Sequence, residues 1–371
     1  GGRLGAGELC GQGAQDVFGA GGKIQDVPGG PQRADGTMEP RADPGIFSGQ
    51  GRSENAGNIF FAGQRLRGRK TLYNVEQYKT SGMRIDMKTI QVLVSTYNGE
   101  KYLAQQLDSI LAQDCQDKTQ LLVRVRDDGS TDGTQKILED FAARYPQQLV
   151  WEQGENVGVI RSFFELLSEA PEAEYYAFSD QDDYWMPDKL SAAIQKLETM
   201  DVQNPQEPHL YCCRPKLVDV ELQEIVSQIK RPPVRASFEN ALVENVVVGC
   251  TAVFNSVLRD YVVWELPRFT VMHDWWMYLV ASALGDVYYD ETPHICYRQH
   301  GGNVLGTKTN RWEEFVMRLK RFGSTRGNIS SQVGELVRIY GKDYADNQNM
   351  QKAQKMLLAK TSLPKRVRFF H

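Results

Sequence analysis

From Met87 onward, the hydrophobic positions of the chain alternate between two rhythms. Thr89 to Ser95 (TIQVLVS) is a nearly continuous apolar and β-branched run, the pattern of a strand buried on both faces. Between Glu100 and Gln113, Tyr102, Leu103, Leu107, Ile110 and Leu111 recur at helical spacing. The alternation continues with a strand over Gln120 to Arg126 and a helix over Gly133 to Tyr145, where Ile137, Leu138 and Phe141 share a face. A short strand is expected over Leu149 to Glu152, a helix over Val159 to Ser168 and a fourth strand over Tyr175 to Ser179. Pro187 is expected at the first position of the next helix, where its fixed φ is already helical. The pattern predicts an α/β fold with a parallel, doubly wound, Rossmann-like sheet flanked by helices.

Residues 1–86 break both rhythms. They hold 19 of the 33 glycines and sustain neither period, so they read as a disordered or non-native leader. Met83 or Met87 is the expected natural start, which peptide mapping of the native amino terminus checks. Charge is equally uneven. Residues 87–300 carry 18 basic against 33 acidic side chains, and residues 301–371 carry 14 against 5. An acidic body argues against nucleic acid as the partner. No run approaches the roughly 20 apolar residues of a spanning helix, so a cytoplasmic protein, soluble or peripheral on the inner face of the plasma membrane, is expected. The six cysteines form no C-x-x-C pair and the five histidines no zinc spacing, so reduced core cysteines are expected and a zinc site is not.

In such a fold, ligands gather beyond the carboxyl ends of the strands. Three polar clusters fall there: Ser95 to Glu100, Asp127 to Asp132, and Ser179-Asp180-Gln181-Asp182-Asp183. The last crowds three carboxylates at the end of a buried strand. Repulsion and desolvation oppose that arrangement unless a cation sits among them, and hard oxygen donors suit Mg²⁺ or Mn²⁺. A metal-held diphosphate fits. Each cluster alone also has a bland explanation, since Asn98-Gly99 is a turn and Asp132 can cap a helix. Neither a dinucleotide-binding nor a P-loop glycine pattern is present. Asp128, Ser130, Asp132, Gly133 and Glu139 fall at calcium-loop spacing, but strand character before the loop argues against an EF-hand.

These residues are similar to glycosyltransferase family 2, the inverting nucleotide-sugar enzymes of GT-A fold. The resemblance spans roughly residues 87–306. Its carriers are VSTYNGEKYLAQQLDSILAQ (94–113), RDDGSTDGT (126–134), NVGVIRSFF (156–164), FSDQDDYWMPDKL (178–190), VVGCTAVFN (247–255), HDWWMYLVASALG (273–285) and YRQHGGNVLG (297–306). The last four look most like bacterial rhamnosyltransferases of cell-wall and surface polysaccharide synthesis.

The resemblance implies a GT-A domain over 87–306, with a mainly parallel sheet, and a basic helical extension over 307–371. It implies that Thr96, Tyr97 and Glu100 border the nucleotide base and that Asp128 accepts a hydrogen bond from the pyrimidine ring. Asp180 and Asp182 form the D-x-D pair on ribose, Mn²⁺ or Mg²⁺ and diphosphate. Asp183 stands behind them, Arg161 approaches the donor, and His300 is a third metal contact. Asp274 fits the position of the catalytic base and is also expected to cap the helix that ends at Gly285; Val246 to Phe254 lines the acceptor side. The implied reaction moves a sugar, L-rhamnose from dTDP-rhamnose or a hexose from a UDP-sugar, onto a glycan or polyprenyl-diphosphate-linked acceptor. A non-catalytic nucleotide-sugar or calcium-binding protein is the alternative of another class. In the extension, Trp312, Phe315, Val316, Leu319 and Phe322 interleave with arginines and lysines. Two readings stay open there: contact with anionic lipid, or packing on the catalytic domain or a second subunit of a homo-oligomer.

Overall fold

β1 (Lys88–Thr96) is central because both of its faces are apolar: Ile90, Val92 and Val94 join one core, Leu93 the other, and all four are fully buried. The computed structural model describes residues 87–115, 119–225, 234–299 and 327–361. The expectations for 1–86, for His300 and for 307–326 lie outside them.

Around β1 the predicted alternation is present: α1 (Leu103–Leu111), β2 (Thr119–Asp127), α2 (Thr134–Arg144), β3 (Leu149–Gln153), α3 (Val159–Glu169) and β4 (Tyr175–Ser179). β2 and β4 flank β1 in parallel, with Val92 in register with Val123 and Ala177. The chain continues through β5 (Tyr184–Trp185), α4 (Lys189–Gln203), β6 (His209–Cys213), β7 (Lys216–Val218), α5 (Phe238–Ala241) and a 3-10 turn over Gly249–Thr251. It then forms β8 (Val253–Asn255), α6 (Ser256–Trp264), α7 (His273–Leu284), β9 (Asp286–Asp290), β10 (Ile295–Arg298), α8 (327–340) and α9 (Gln348–Thr361). The main sheet runs β3-β2-β1-β4-β8-β6-β9, and a small sheet runs β5-β10-β7.

The sheet is mainly parallel, as the resemblance implies, with β8 running against both β4 and β6. The 3-10 turn delivers the chain to β8 at the carboxyl edge, where the Ala252 carbonyl accepts the Phe178 N–H at 3.3 Å, so β8 travels backwards. Two local expectations need correction, Pro187 and the start of the first helix. Pro187 precedes the helix instead of opening it. Gln113 fixes that turn, its Nε2 donating to the Met186 carbonyl at 2.7 Å and its Oε1 accepting the Leu190 N–H at 3.0 Å, so α4 starts at Lys189. The first helix likewise starts at Leu103 and not Glu100, because the Gly99 carbonyl takes the N–H groups of both Tyr102 and Leu103 in a turn.

The sheet is covered on both faces. Leu103, Leu107, Leu138, Leu190 and Leu197 from α1, α2 and α4 pack on one side. Phe163, Leu167, Leu258, Trp276 and Val280 from α3, α6 and α7 pack on the other. Each such buried side chain contributes about 1.5–3 kcal/mol. Val333, Leu336 and Tyr340 of α8 and Met350 and Ala353 of α9 bury in that second core. α8 and α9 thus pack on the catalytic domain, while Trp312 to Phe322, which carry the two readings of the extension, lie outside the described residues. Among the described residues no helix is long and apolar enough to cross a membrane.

Candidate active site

The chain leaves β4 of the main sheet and enters β5 of the small one, and Asp180 to Asp183 occupy the crossing. Gln181 ties this crossing to the end of β1: its Oε1 accepts from Thr96 Oγ1 at 2.6 Å and from the Tyr97 N–H at 2.8 Å, and its Nε2 donates to the Tyr97 carbonyl at 3.1 Å. Arg298, at the end of β10, holds the other side. Its N–H donates to Asp183 Oδ1 at 3.1 Å, and its Nε donates to the Asp182 carbonyl at 2.8 Å. The guanidinium also donates to Gln105 Oε1 at 2.6 Å and to the Val220 carbonyl.

Asp183 is fully buried, and its Oδ2 has no hydrogen-bond partner. Carboxylate oxygens of Asp180 and Asp183 and the Cys250 Sγ all lie within 4.8 Å of one another. Burial, reinforced by Asp182, lifts the Asp183 carboxyl up to about 7. Asp180 is raised well above the usual range, by burial first and then by Asp183, Asp182 and Asp274. Lys189, also fully buried, stacks its Nζ 3.3 Å over the Trp185 ring and has no hydrogen-bond partner. Burial pulls its ammonium down to about 8. The crowded carboxylates, with Asp183 Oδ2 buried and unpartnered, fit the chemistry of a divalent cation site.

Asp274 stands at the mouth of α7. Its Oδ2 accepts the Gly249 N–H at 2.9 Å, and its Oδ1 accepts from Asn245 Nδ2 at 3.0 Å and from the Trp275 N–H at 2.6 Å. The expected cap role needs correction: Met272 is the N-cap, and Asp274 is the second helical residue, where its charge still meets the positive end of the helix. Burial raises its carboxyl to about 6 against the pull of those three donors. Gly249 packs closely here: a Cβ there meets His273 Nε2 at 3.0 Å and Asp274 Oδ2 at 3.5 Å, so a larger residue presses on the His273 ring. His273 stacks on Phe163 at 4.1 Å and meets Phe178 edge-on at 5.3 Å, and burial depresses it to about 3, so it stays neutral.

The two remaining loops are laced together. The Asn98 N–H donates to Ser130 Oγ and the Thr131 N–H to Asn98 Oδ1, both at 2.8 Å, with Asn98 at φ +50°. Glu100 accepts the Gly133 N–H at 3.0 Å, and Asp132 accepts the N–H groups of Glu100 at 3.1 Å and Thr134 at 3.0 Å. Asp132 therefore sits one position before Gly133, the N-cap of α2, and takes the first helical N–H, while a strand precedes the loop, which disposes of the calcium-loop reading. Asp128 accepts the N–H groups of Val157 at 3.0 Å and Gly158 at 2.9 Å together with Arg126. Gly158 has φ +81°, a conformation that favours glycine, and it turns that N–H onto the carboxylate. Three of about four acceptor positions on Asp128 are thereby filled. Thr96 is buried and Tyr97 is 47% exposed beside it.

Not every expected residue joins the acidic crossing. Arg161 is half-exposed on α3, and its Nε donates to Glu165 Oε1 at 2.8 Å in an i,i+4 pair. The Asp182 carboxylate is not in the group formed by Asp180, Asp183 and Cys250. The described cysteines are all free, and Cys212, Cys213 and Cys250 are buried, as expected of reduced core residues.

Residues 91–266 match the family described as glycosyl transferase family 2. This stretch is a family 2 glycosyltransferase domain. The chain is similar to the dTDP-rhamnosyl transferase RfbG of Shigella flexneri, with 27% identity over 248 residues, 63% of this chain and 79% of that protein. An uncharacterized protein of Mycobacterium tuberculosis is 26% identical over 246 residues, 64% of this chain and 65% of its own length. A mannosyltransferase of Pyrobaculum calidifontis, solved with GDP-Man and Mn²⁺, is similar at 18% identity over 76% of this chain and 78% of its own, with a TM-score of 0.44.

Several residues of this candidate site escaped sequence reasoning. Gln181 sat unnoticed between two carboxylates. Lys189 continues the buried face of Leu190, Ala193 and Leu197, a place where a lysine signals an internal charge. Cys250 and Asn245 carried no spacing signal.

The buried acids predict an inverse pH dependence of stability. Between the unfolded carboxylate's pKa of about 3.9 and about 7, folded Asp183 holds a proton that the unfolded chain has lost, so its contribution to stability falls as pH rises and levels off above about 7. His273 acts oppositely from about 6.5 down to about 3, so the comparison must isolate Asp183. In chelator, Asp183→Asn is expected to gain stability over wild type by up to about 1.4 kcal/mol per pH unit from pH 5 to 7. Urea melts giving equal differences at pH 5 and 7.5 contradict this.

Proposed function

We propose that this chain is a metal-dependent inverting glycosyltransferase that moves L-rhamnose from dTDP-rhamnose onto a growing cell-surface glycan or lipid-linked acceptor. The observation that carries the catalytic reading is Asp274: a carboxylate held by three donors, raised to about 6, and close enough to Asp180 to raise it electrostatically. A base with that pKa is mostly ionised at neutral pH and still takes a proton readily. Rhamnose as the sugar is supported by the likeness to the dTDP-rhamnosyl transferase and by the wording of the motifs.

In this reading the acceptor hydroxyl oxygen attacks the anomeric carbon while its proton passes to the free lone pair of Asp274 Oδ2. The bond from that carbon to the donor phosphate breaks, and its electron pair leaves with the diphosphate, in one inverting displacement. Asp180 and Asp182, with His300, are the residues assigned to Mn²⁺ or Mg²⁺, which when bound supplies positive charge for the leaving diphosphate. Thr96, Tyr97, Glu100 and Asp128 border the base, with the open acceptor position of Asp128 facing the ring N–H. Arg161 reaches the donor on exchanging its Glu165 partner.

Thermal-shift titration of the full chain with dTDP, UDP, GDP and NAD, each with and without Mn²⁺, tests this, because a ligand selective for the native state raises Tm. The expected result is metal-dependent stabilisation by dTDP above UDP. Stabilisation by UDP above dTDP replaces the rhamnosyl reading with a UDP-hexose one, and no response to any nucleotide in folded protein removes the donor site.

A further inference from the structure

We propose that Asp180, Asp183 and Cys250 form a cation site with a thiolate donor, selective for thiophilic divalent ions of the Zn²⁺ and Cd²⁺ class. Three observations converge on it. The donor atoms already lie within 4.8 Å of one another, and metal–sulfur bonds of about 2.3 Å with metal–oxygen bonds of about 2.0–2.2 Å place tetrahedral ligands roughly 3.5 Å apart, a contraction of about 1 Å. Asp183 Oδ2 belongs to a fully buried carboxyl and has no hydrogen-bond partner. Such an atom is costly to leave unpaired, and a cation satisfies it.

Charge supplies the third. Lys189 is buried beside Asp183 and Cys250, contributing a positive charge to both. Two carboxylates and a thiolate carry three negative charges, and the ammonium with one divalent ion neutralises them. The thiol decides which ion. Sulfur is a poor ligand for Mg²⁺ and a good one for Zn²⁺ or Cd²⁺, so a donor set of two oxygens and one sulfur turns preference away from the hard ions. Cys250 takes this position because Gly249-Cys250-Thr251 form the 3-10 turn that feeds β8, with Cys250 1% exposed. Because Asp180 is shared, occupancy by a thiophilic ion competes with Mn²⁺ and nucleotide; that consequence alone rests on the proposed function.

The test uses the full chain, stripped with chelator and titrated with Cd²⁺ in the absence of nucleotide, reading the near-ultraviolet sulfur-to-metal charge-transfer band. A saturable band is expected in wild type and in Cys115→Ser, and its loss in Cys250→Ser that is folded by circular dichroism. No band in wild type, or an undiminished band in Cys250→Ser, overturns the proposal. Should Cys250→Ser fail to fold, Asp183→Asn keeps the thiol and is expected to weaken Cd²⁺ binding at least tenfold; unchanged affinity overturns the proposal. With no nucleotide present, failure of the glycosyltransfer reading leaves this result untouched.

Discussion

Asp274→Asn is expected to lower kcat by roughly 10² to 10⁴. The size follows from the chemistry: an amide has no basic lone pair for the acceptor proton, while shape and reach barely change. The substitution is not silent in the ground state. Oδ1 accepts from Asn245 and Trp275, and Oδ2 accepts from Gly249. An amide oxygen takes one side of that arrangement, and its NH₂ then faces an N–H on the other, at a cost of about 1–3 kcal/mol. Turnover must therefore be compared in protein shown to be folded, with nucleotide-induced stabilisation as the control for donor binding. Wild-type kcat is expected to rise with pH through an acid limb near or below about 6, because the base acts when ionised. Turnover within threefold of wild type, with the same acid limb, removes Asp274 from the role of base.

The strands and helices that build the carboxyl edge were legible because burial imposes period. TIQVLVS and YYAFS are apolar on both faces, and both form central strands buried as expected. Asp128, Asp180 and Asp274 were legible as types because carboxylates at strand and helix ends are expensive without a purpose. What could not be read is what depends on a neighbour distant in sequence. β8 runs antiparallel because a turn 70 residues after β4 returns the chain at the carboxyl edge. Pro187 lies outside α4 because Gln113 supplies the cap. Asp183 turns inward, away from the role the motif gives Asp182, because Arg298 reaches it from a strand 115 positions later. Arg161 reads as a donor contact by motif, yet the residue four positions on offers it a partner on the exposed face. Period determines which face a residue takes; the partner determines what it does there.

Arg298→Met is expected to cost about 3–5 kcal/mol of stability, the scale of breaking a buried charged network. The Arg298 side chain is 1% exposed and lies 4.6 Å from the Tyr102 ring centroid. Methionine roughly fills the volume but returns none of the donors, leaving the Asp182 and Val220 carbonyls and the Gln105 amide oxygen short of a partner, at about 1–3 kcal/mol each where burial is complete. It also removes a positive charge held against the backbone of a cluster whose members already raise one another's proton affinity. The backbone bond from residue 298 to Asp183 is retained by methionine, so the effect reports the guanidinium itself. Arg298→Lys keeps the charge but not the fork, and it is expected to recover only part of the loss. Arg161→Ala, which breaks a half-exposed i,i+4 pair, is the internal standard at about 0.5 kcal/mol or less. Urea melts give the stabilities, and Mn²⁺-dependent nucleotide stabilisation, read where each variant is folded, tells whether the acidic crossing has lost its position. If Arg298→Met is as stable as Arg161→Ala and responds to Mn²⁺ like wild type, Arg298 does not hold the crossing in place.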